Sequence, residues 1–370
     1  MNRPMPAEFP TAGLVAELQS LGLRLEGEPA GVQGRRGGAG PSDHKAVTLA
    51  DRTVMIPVAT APAAASPFVA GPPDAQGSAV IRRDGVAVAH ITFPRQPRFY
   101  DLATADGVPY SHIATLHGAD VLATTVLQSC IRYGNRKTTC QFCAIGQSLA
   151  AGKTILRKTP QQLAEVARAA VTLDGVKHMV MTTGTPNLAD RGAAILCESA
   201  AAVKAAVDLP IQGQCEPPDD AAWFARMKAA GIDSLGMHLE AVTPDVRARI
   251  MPGKAGIPLA RYMDAFDAAV AVFGRGEVST YILAGLGDSA EAILTVCERL
   301  IDQGVYPFVA PFVPIAGTPL KRHPPPEPQF MQAILPRLGA MLKRAGLRSA
   351  DTTAGCAKCG ACSALAGYEV

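Results

Sequence analysis

From Asp120 onward, short apolar runs of strand length alternate with longer stretches of helical period. The strand-like runs are Val121–Leu127, His178–Thr182, Ile211–Gln214, Ser234–Leu239, Val278–Ala284 and Phe308–Val313. Between them lie helix signals, clearest at Thr159-Pro160-Gln161-Gln162, where Thr caps, Pro fills the first turn and Gln three residues on completes a capping box. Leu163, Val166, Ala167 and Ala170 then form the buried stripe. Repeated strand-then-helix units predict an α/β domain with a parallel sheet and right-handed crossovers, open or rolled up. One more helix fits at Gln329–Ala345, and twenty-five residues remain after it, so the pattern gives six βα units rather than eight.

Ahead of this region the pattern changes. Ala12–Leu25 is amphipathic, Gly31–Gly40 reads as a flexible Gly/Arg-rich linker, and Val47–Phe93 alternates as a β-rich lead-in. Asp84-Gly85 between two apolar triplets is a hairpin signal. The expected organisation is an N-terminal extension over 1–118, a main domain over 119–346 and a Cys-rich tail over 347–370.

The chain has 370 residues, 48% hydrophobic and 18% charged, with a net charge of +3. That balance lacks the basic field of a dedicated nucleic-acid binder, so a small-molecule partner is expected. No apolar run reaches a membrane span, and Met1–Pro10 has no apolar signal region, which points to the cytoplasm. Thiols there stay reduced, so nine cysteines are read as metal ligands, nucleophiles or packing. They fall into two triplets, Cys130/Cys140/Cys143 and Cys356/Cys359/Cys362, with Cys197, Cys215 and Cys297 single.

Cys130 follows the first strand directly, at the edge where parallel sheets gather their ligands. Cys140-Gln141-Phe142-Cys143 adds two thiols on one short turn. Three thiolates around an iron–sulfur cluster leave one iron open for catalysis, whereas structural zinc wants a closed set of four. Val121–Ala164 contains no acid but holds Arg132, Arg136, Lys137, Lys153, Arg157 and Lys158, an electropositive setting that favours thiolates. A phosphate-binding loop at Gly152-Lys153-Thr154 is excluded because Gln147 stands where its first glycine belongs.

Cys-x-aromatic-Cys after a first strand, with a third Cys upstream, resembles the cluster loop of radical S-adenosylmethionine (radical SAM) enzymes. Nine residues separate Cys130 from Cys140, where the superfamily usually has three. Four further motifs resemble the biotin synthase and lipoyl synthase branch over roughly 120–325. They are Thr182-Thr183-Gly184-Thr185, His238-Leu239-Glu240, Ile282–Asp288 and Pro314–Leu320, joined by Arg261 within Leu259–Phe266. The resemblance implies a partial TIM-type (β/α)6 barrel with a [4Fe-4S] cluster on Cys130, Cys140 and Cys143. It implies that the cluster reductively cleaves SAM to a 5'-deoxyadenosyl radical, which acts on a small molecule. Backbone at Thr182, Thr183 and Gly184 would hold the methionine amine, His238 and Glu240 the ribose or amine, and Arg261 the carboxylate. Phe142, Ile282, Gly285 and Val313 would surround the nucleoside, with the missing side chain of Gly285 admitting it. A flavodoxin or ferredoxin would supply electrons. The chain departs from biotin synthase itself: Ser279, Met179 and Met181 stand where its second cluster needs ligands, and only Cys215 matches. The long-gapped subgroup it resembles occurs with nitrilase genes, which hints at nitrogenous substrates.

The tail triplet, with its two-residue spacings, reads as a second metal site, an iron–sulfur cluster ahead of zinc. Sulfur insertion using that tail cluster is the alternative enzyme reading. The alternative without catalysis is a zinc-binding structural or regulatory protein with one site on Cys140, Cys143, Cys356 and Cys359.

Overall fold

The computed structural model describes residues 12–27 and 43–369, and the expected linker Gly31–Gly40 lies outside them. Two sheets organise the chain. The first comprises β1 (Arg24–Leu25), β2 (His44–Leu49), β3 (Arg52–Pro57), β4 (Phe68–Ala70), β5 (Ser78–Arg83) and β6 (Val86–Thr92), in the order β1-β4-β5-β6-β2-β3. Asp84 and Gly85 turn β5 into β6 with φ of 49° and 83°, the left-handed pair that a tight hairpin requires. The amphipathic stretch begins as a helix, Ala12–Leu21, whose Leu18 joins Val47, Ile56, Phe68 and Ile81 in a separate small core.

The second sheet comprises β7 (Thr115–His117), β8 (Val121–Thr125), β9 (His178–Thr182), β10 (Ile211–Gln214), β11 (Ser234–Gly236), β12 (Val278–Ala284) and β13 (Val305–Pro311), neighbours in that order. The six from β8 to β13 are mutually parallel with helices between them, while β7 pairs antiparallel with β8. The sheet is curled: Ala123 of β8 and Ala310 of β13, at its two sides, line one cavity of about 280 Å³. On its convex face Leu122, Met179, Ile211, Leu235 and Val309 pack against helical Leu163, Leu196, Phe266, Leu300 and Leu338. Burial on both faces explains the nearly unbroken apolar runs read from the sequence.

The capping box forms as expected: the Gln162 N–H donates to Thr159 Oγ1 (3.2 Å), and Gln162 Oε1 accepts from the Thr159 N–H (2.9 Å). Three strands differ in their limits from the sequence reading, β8 by ending at Thr125. β11 stops at Gly236 because the chain turns at Glu240 through a left-handed φ of 57°. The last strand begins earlier, at Val305, and runs through Pro307, which β13 tolerates as an edge strand.

The tail closes the N-terminal end of the sheet. The Gly355 N–H donates to His178 Nδ1 (3.2 Å) and the Ala354 N–H to Ser234 Oγ (3.2 Å), at the first residues of β9 and β11. A side chain at Gly355 would overlap the Gln212 amide, and its φ is 107°, so this entry point requires glycine. The N-terminal sheet joins the same plug, for the Met55 N–H and Gln19 Nε2 both donate to the Ala361 carbonyl at 2.8 and 3.0 Å. Among the described residues no helix is long and apolar enough to cross a membrane.

Candidate active site

The nine-residue gap is an ordered loop. Arg132 is buried and pairs with Glu216 at 2.6 Å, just beyond β10, while its carbonyl accepts from the Thr138 and Thr139 hydroxyls, both at 2.9 Å. The Thr138 and Thr139 N–H groups donate to the Asn135 carbonyl, and the Gly253 N–H donates to that of Thr138. Residues 131–139 are thus folded back on Arg132, so Cys140 returns toward Cys130. Cys143 then turns on Cys140 through a 3.0 Å backbone bond and lies close enough to both other sulfurs for their charges to interact.

Burial pushes the Cys143 thiol up to about 11 and that of Cys140 higher still; the Ile145 backbone N–H opposes this by donating to Cys143 Sγ. Metal charge would reverse such burial by holding thiolates in place. Among the described residues, no three His, Cys, Asp or Glu side chains converge tightly enough for a single ion. Three thiols with an N–H aimed at one sulfur have the donor set of an iron–sulfur cluster that keeps one iron open. Among the described residues Cys140, Cys143, Cys356 and Cys359 form no four-thiolate group.

Gly184 explains the contact between the second strand's motif and this loop. A Cβ there would overlap the Ser129 carbonyl, and the Gly184 N–H donates to Leu127 O at 3.0 Å. The Ile131 N–H donates to Thr185 O (2.9 Å), so Thr182–Thr185 is laid directly against the approach to Cys130. The Thr182 and Thr125 hydroxyls bond each other at 2.9 Å.

His238 and Glu240 line the cavity with Phe142 and Val313. His238 Nδ1 accepts the Tyr281 N–H at 3.1 Å, and burial, helped by the Lys254 ammonium, pulls the imidazole down to about 3. It is therefore neutral, with Nε2 as its donor. Glu240 Oε2 is bonded by Lys254 Nζ at 2.5 Å, and Nζ also donates to His238 O at 2.7 Å. Burial alone would lower the Lys254 pKa, but Glu240, Tyr262 and Glu216 hold it well above the ordinary lysine range. Ile282 bridges Glu240 in parallel register, and the Leu283 N–H donates to Glu240 O (2.8 Å), fixing the acid's left-handed turn.

Several expected site residues have contacts that the sequence did not announce. Gly285 has a φ of 102°, and the space its missing side chain leaves is taken by Pro326. The basic loop is only partly solvated. Arg132 is neutralised by Glu216, and Lys158 is buried, bonded to Thr154 Oγ1 at 2.6 Å and lowered by burial to about 7. Arg261 is not in the cavity wall; through Nη2 it donates to the Pro218 and Asp219 carbonyls at 2.9 and 2.7 Å, beside Glu216. Cys215 and Cys297 are buried in the core. Lys254, Glu216 and the Arg132 pair were missed from the sequence. Glu216 had a signal, an acid at a strand's C-terminal end, but Lys254 sits in a Gly- and Pro-rich turn segment with none.

Residues 131–300 match the family model of the radical SAM superfamily. That stretch, just under half of the chain, is similar to the superfamily. The match begins one residue after Cys130 and includes Cys140, Cys143, Glu240, Lys254 and Arg261. Members of this superfamily are iron–sulfur enzymes that use SAM. A curated relative, the bacteriochlorophyllide c C-7(1)-hydroxylase of Chlorobaculum limnaeum, is 35% identical over 126 residues, 34% of this chain and 31% of that protein. The matched segment thus spans about a third of that relative's length. Solved structures with similarity include a radical SAM methyltransferase from Sphaerobacter thermophilus (15% identity, 76% of this chain and 75% of that one, TM-score 0.45). Another is methylornithine synthase (19% identity, 55% and 56%, TM-score 0.43).

Proposed function

We propose that this chain is a radical SAM enzyme built on a partial (β/α)6 barrel, with Cys130, Cys140 and Cys143 as ligands of a [4Fe-4S] cluster. The observation that carries the reading is the folded-back loop 131–139, which delivers three thiols to the C-terminal end of β8 beside Glu240 and Lys254. A cluster held there would supply the electron that splits SAM into methionine and a 5'-deoxyadenosyl group able to take hydrogen from a substrate. The chain's own residues bind and orient. Glu240 offers its carboxylate and His238 an Nε2–H donor to the ribose or amine, and backbone at Thr182–Gly184 faces the amine. Arg261 uses only Nη2 on the β10 loop, leaving the rest of its guanidinium for a carboxylate, a task suited to its planar fork. Phe142 and Val313 supply apolar wall, which excludes water, whereas Ile282 is packed in the core and acts through its backbone bridge to Glu240. Cys356, Cys359 and Cys362 are read as a second metal site. The substrate is a small molecule held in the curled sheet, and a flavodoxin- or ferredoxin-type reductant serves the cluster.

Anaerobic purification and SAM binding test this. Brown protein that loses a cluster when Cys130, Cys140 and Cys143 become Ala supports it, as does weaker SAM binding with full iron in Arg261→Ala and Glu240→Gln. Colourless protein, or unchanged SAM affinity in both single variants, overturns it.

A further inference from the structure

The tail triplet does not lie on the surface or in a separate lobe. Cys356 and Cys362 line the same cavity as Phe142 and Glu240. Each tail sulfur also has a hydrogen-bonding group beside it. Gln214 Nε2 donates to Cys356 Sγ at 3.2 Å, the Ala361 backbone N–H donates to Cys359, and His117 Nε2 lies 3.6 Å from Cys362 Sγ. The Tyr281 hydroxyl adds a further hydrogen bond to Cys362. A neutral thiol is a weak acceptor, so donors aimed at three neighbouring sulfurs describe a place made for thiolate charge. Cys297, a core cysteine, has only apolar packing around it.

We infer that Cys356, Cys359 and Cys362 hold a second iron–sulfur cluster forming the floor of the radical cavity, with its fourth iron open to a nitrogen, oxygen or sulfur donor atom of the substrate. This rests on the radical SAM reading for the cavity's purpose and on the tail residues for the ligands. Three cysteines leave one corner uncoordinated, and the sulfurs that face the cavity turn that corner toward it. Tyr281 spans the distance: its hydroxyl meets Cys362, while its ring packs edge-on against His238 at 5.6 Å. A substrate anchored on the tail cluster would therefore lie across Tyr281 from the group that abstracts hydrogen. The substrate class is a small molecule with a Lewis-basic atom at the end remote from the reacting carbon.

The test uses the full chain reconstituted anaerobically with iron and sulfide. Mössbauer spectra of the wild-type protein should give two four-iron clusters, about eight irons per chain. Cys130→Ala/Cys140→Ala/Cys143→Ala should keep one, and Cys356→Ser/Cys359→Ser/Cys362→Ser should keep the other. In the first variant, reduced with dithionite, 15N-imidazole should give a nitrogen coupling by electron–nuclear double resonance. A wild-type protein with a single cluster that vanishes with Cys130, Cys140 and Cys143 overturns the tail site while leaving the radical SAM reading intact. One equivalent of zinc in the tail overturns it equally. A second cluster without imidazole coupling overturns the open corner. Wild-type protein that takes up no iron overturns both readings.

Discussion

Replacing Lys254 by Met removes the cation from a buried ion pair beside the proposed SAM site. The side chains of Lys254 and Glu240 are 8% and 14% exposed, so little water is present to take over from the lost partner. Two charge-assisted bonds go, to Glu240 Oε2 and His238 O, and the carboxylate is left buried. Breaking one side of such a pair costs about 3–5 kcal/mol. At about 2 °C per kcal/mol for a chain of this size, Tm should fall by roughly 6–10 °C. Burial raises the Glu240 carboxyl, opposed in the wild type mainly by Lys254. In Lys254→Met the chief opposing charge is gone and the Arg247 guanidinium alone remains against that rise, so the native state takes up a proton that the unfolded chain at the same pH does not. The deficit relative to wild type should therefore shrink as pH falls toward the ordinary carboxylate range and widen above it. Differential scanning fluorimetry of Lys254→Met and Lys254→Met/Glu240→Gln, across a pH series, measures this. The double variant should recover most of the loss, since a neutral amide needs no cation. A single variant melting within about 1 °C of wild type, or a double variant no better than the single, would refute the reasoning.

Three other outcomes follow from the geometry. Burial lowers His178 to about 4, so the native state keeps it neutral to accept the Gly355 N–H. Stability should be lost as pH falls from about 6.5 to about 4, by on the order of 1–3 kcal/mol, and His178→Asn should flatten that slope in thermal melts. Gly184→Ala should displace the approach to Cys130 and lower iron per chain after reconstitution; full iron loading with wild-type Tm would contradict the role given to that contact. Arg132→Met should leave Glu216 partnered only by Arg191, at 3.4 Å, and loosen the loop. Slower cluster uptake with the sheet intact by circular dichroism is the expected result, and unchanged uptake would separate the loop from cluster assembly.

The alternation of strand and helix was legible because β8 to β13 are buried on both faces, so apolar runs mark them without competing signals. The Asp84-Gly85 hairpin and the Thr159 cap were legible because each uses residues whose backbone or side chain does one local job. What local pattern could not carry were contacts across the fold. Pro326 filling the space at Gly285, and Arg261 turned onto the β10 loop, depend on segments about forty residues away in sequence. The burial of Lys158 comes from packing behind Gln128 and Thr154, and a lone lysine between loops gives no periodic signal. The tail spacing pointed to a metal, but only the fold places it in the same chamber as Glu240.

Ala361 accepts from both Met55 and Gln19, while Ser363 Oγ donates to the Val309 carbonyl at 2.6 Å. The chamber is thus closed by a contact between positions 342 residues apart, Gln19 and Ala361. Contacts this distant in sequence form slowly, so a change on either side of that plug bears on the whole pocket.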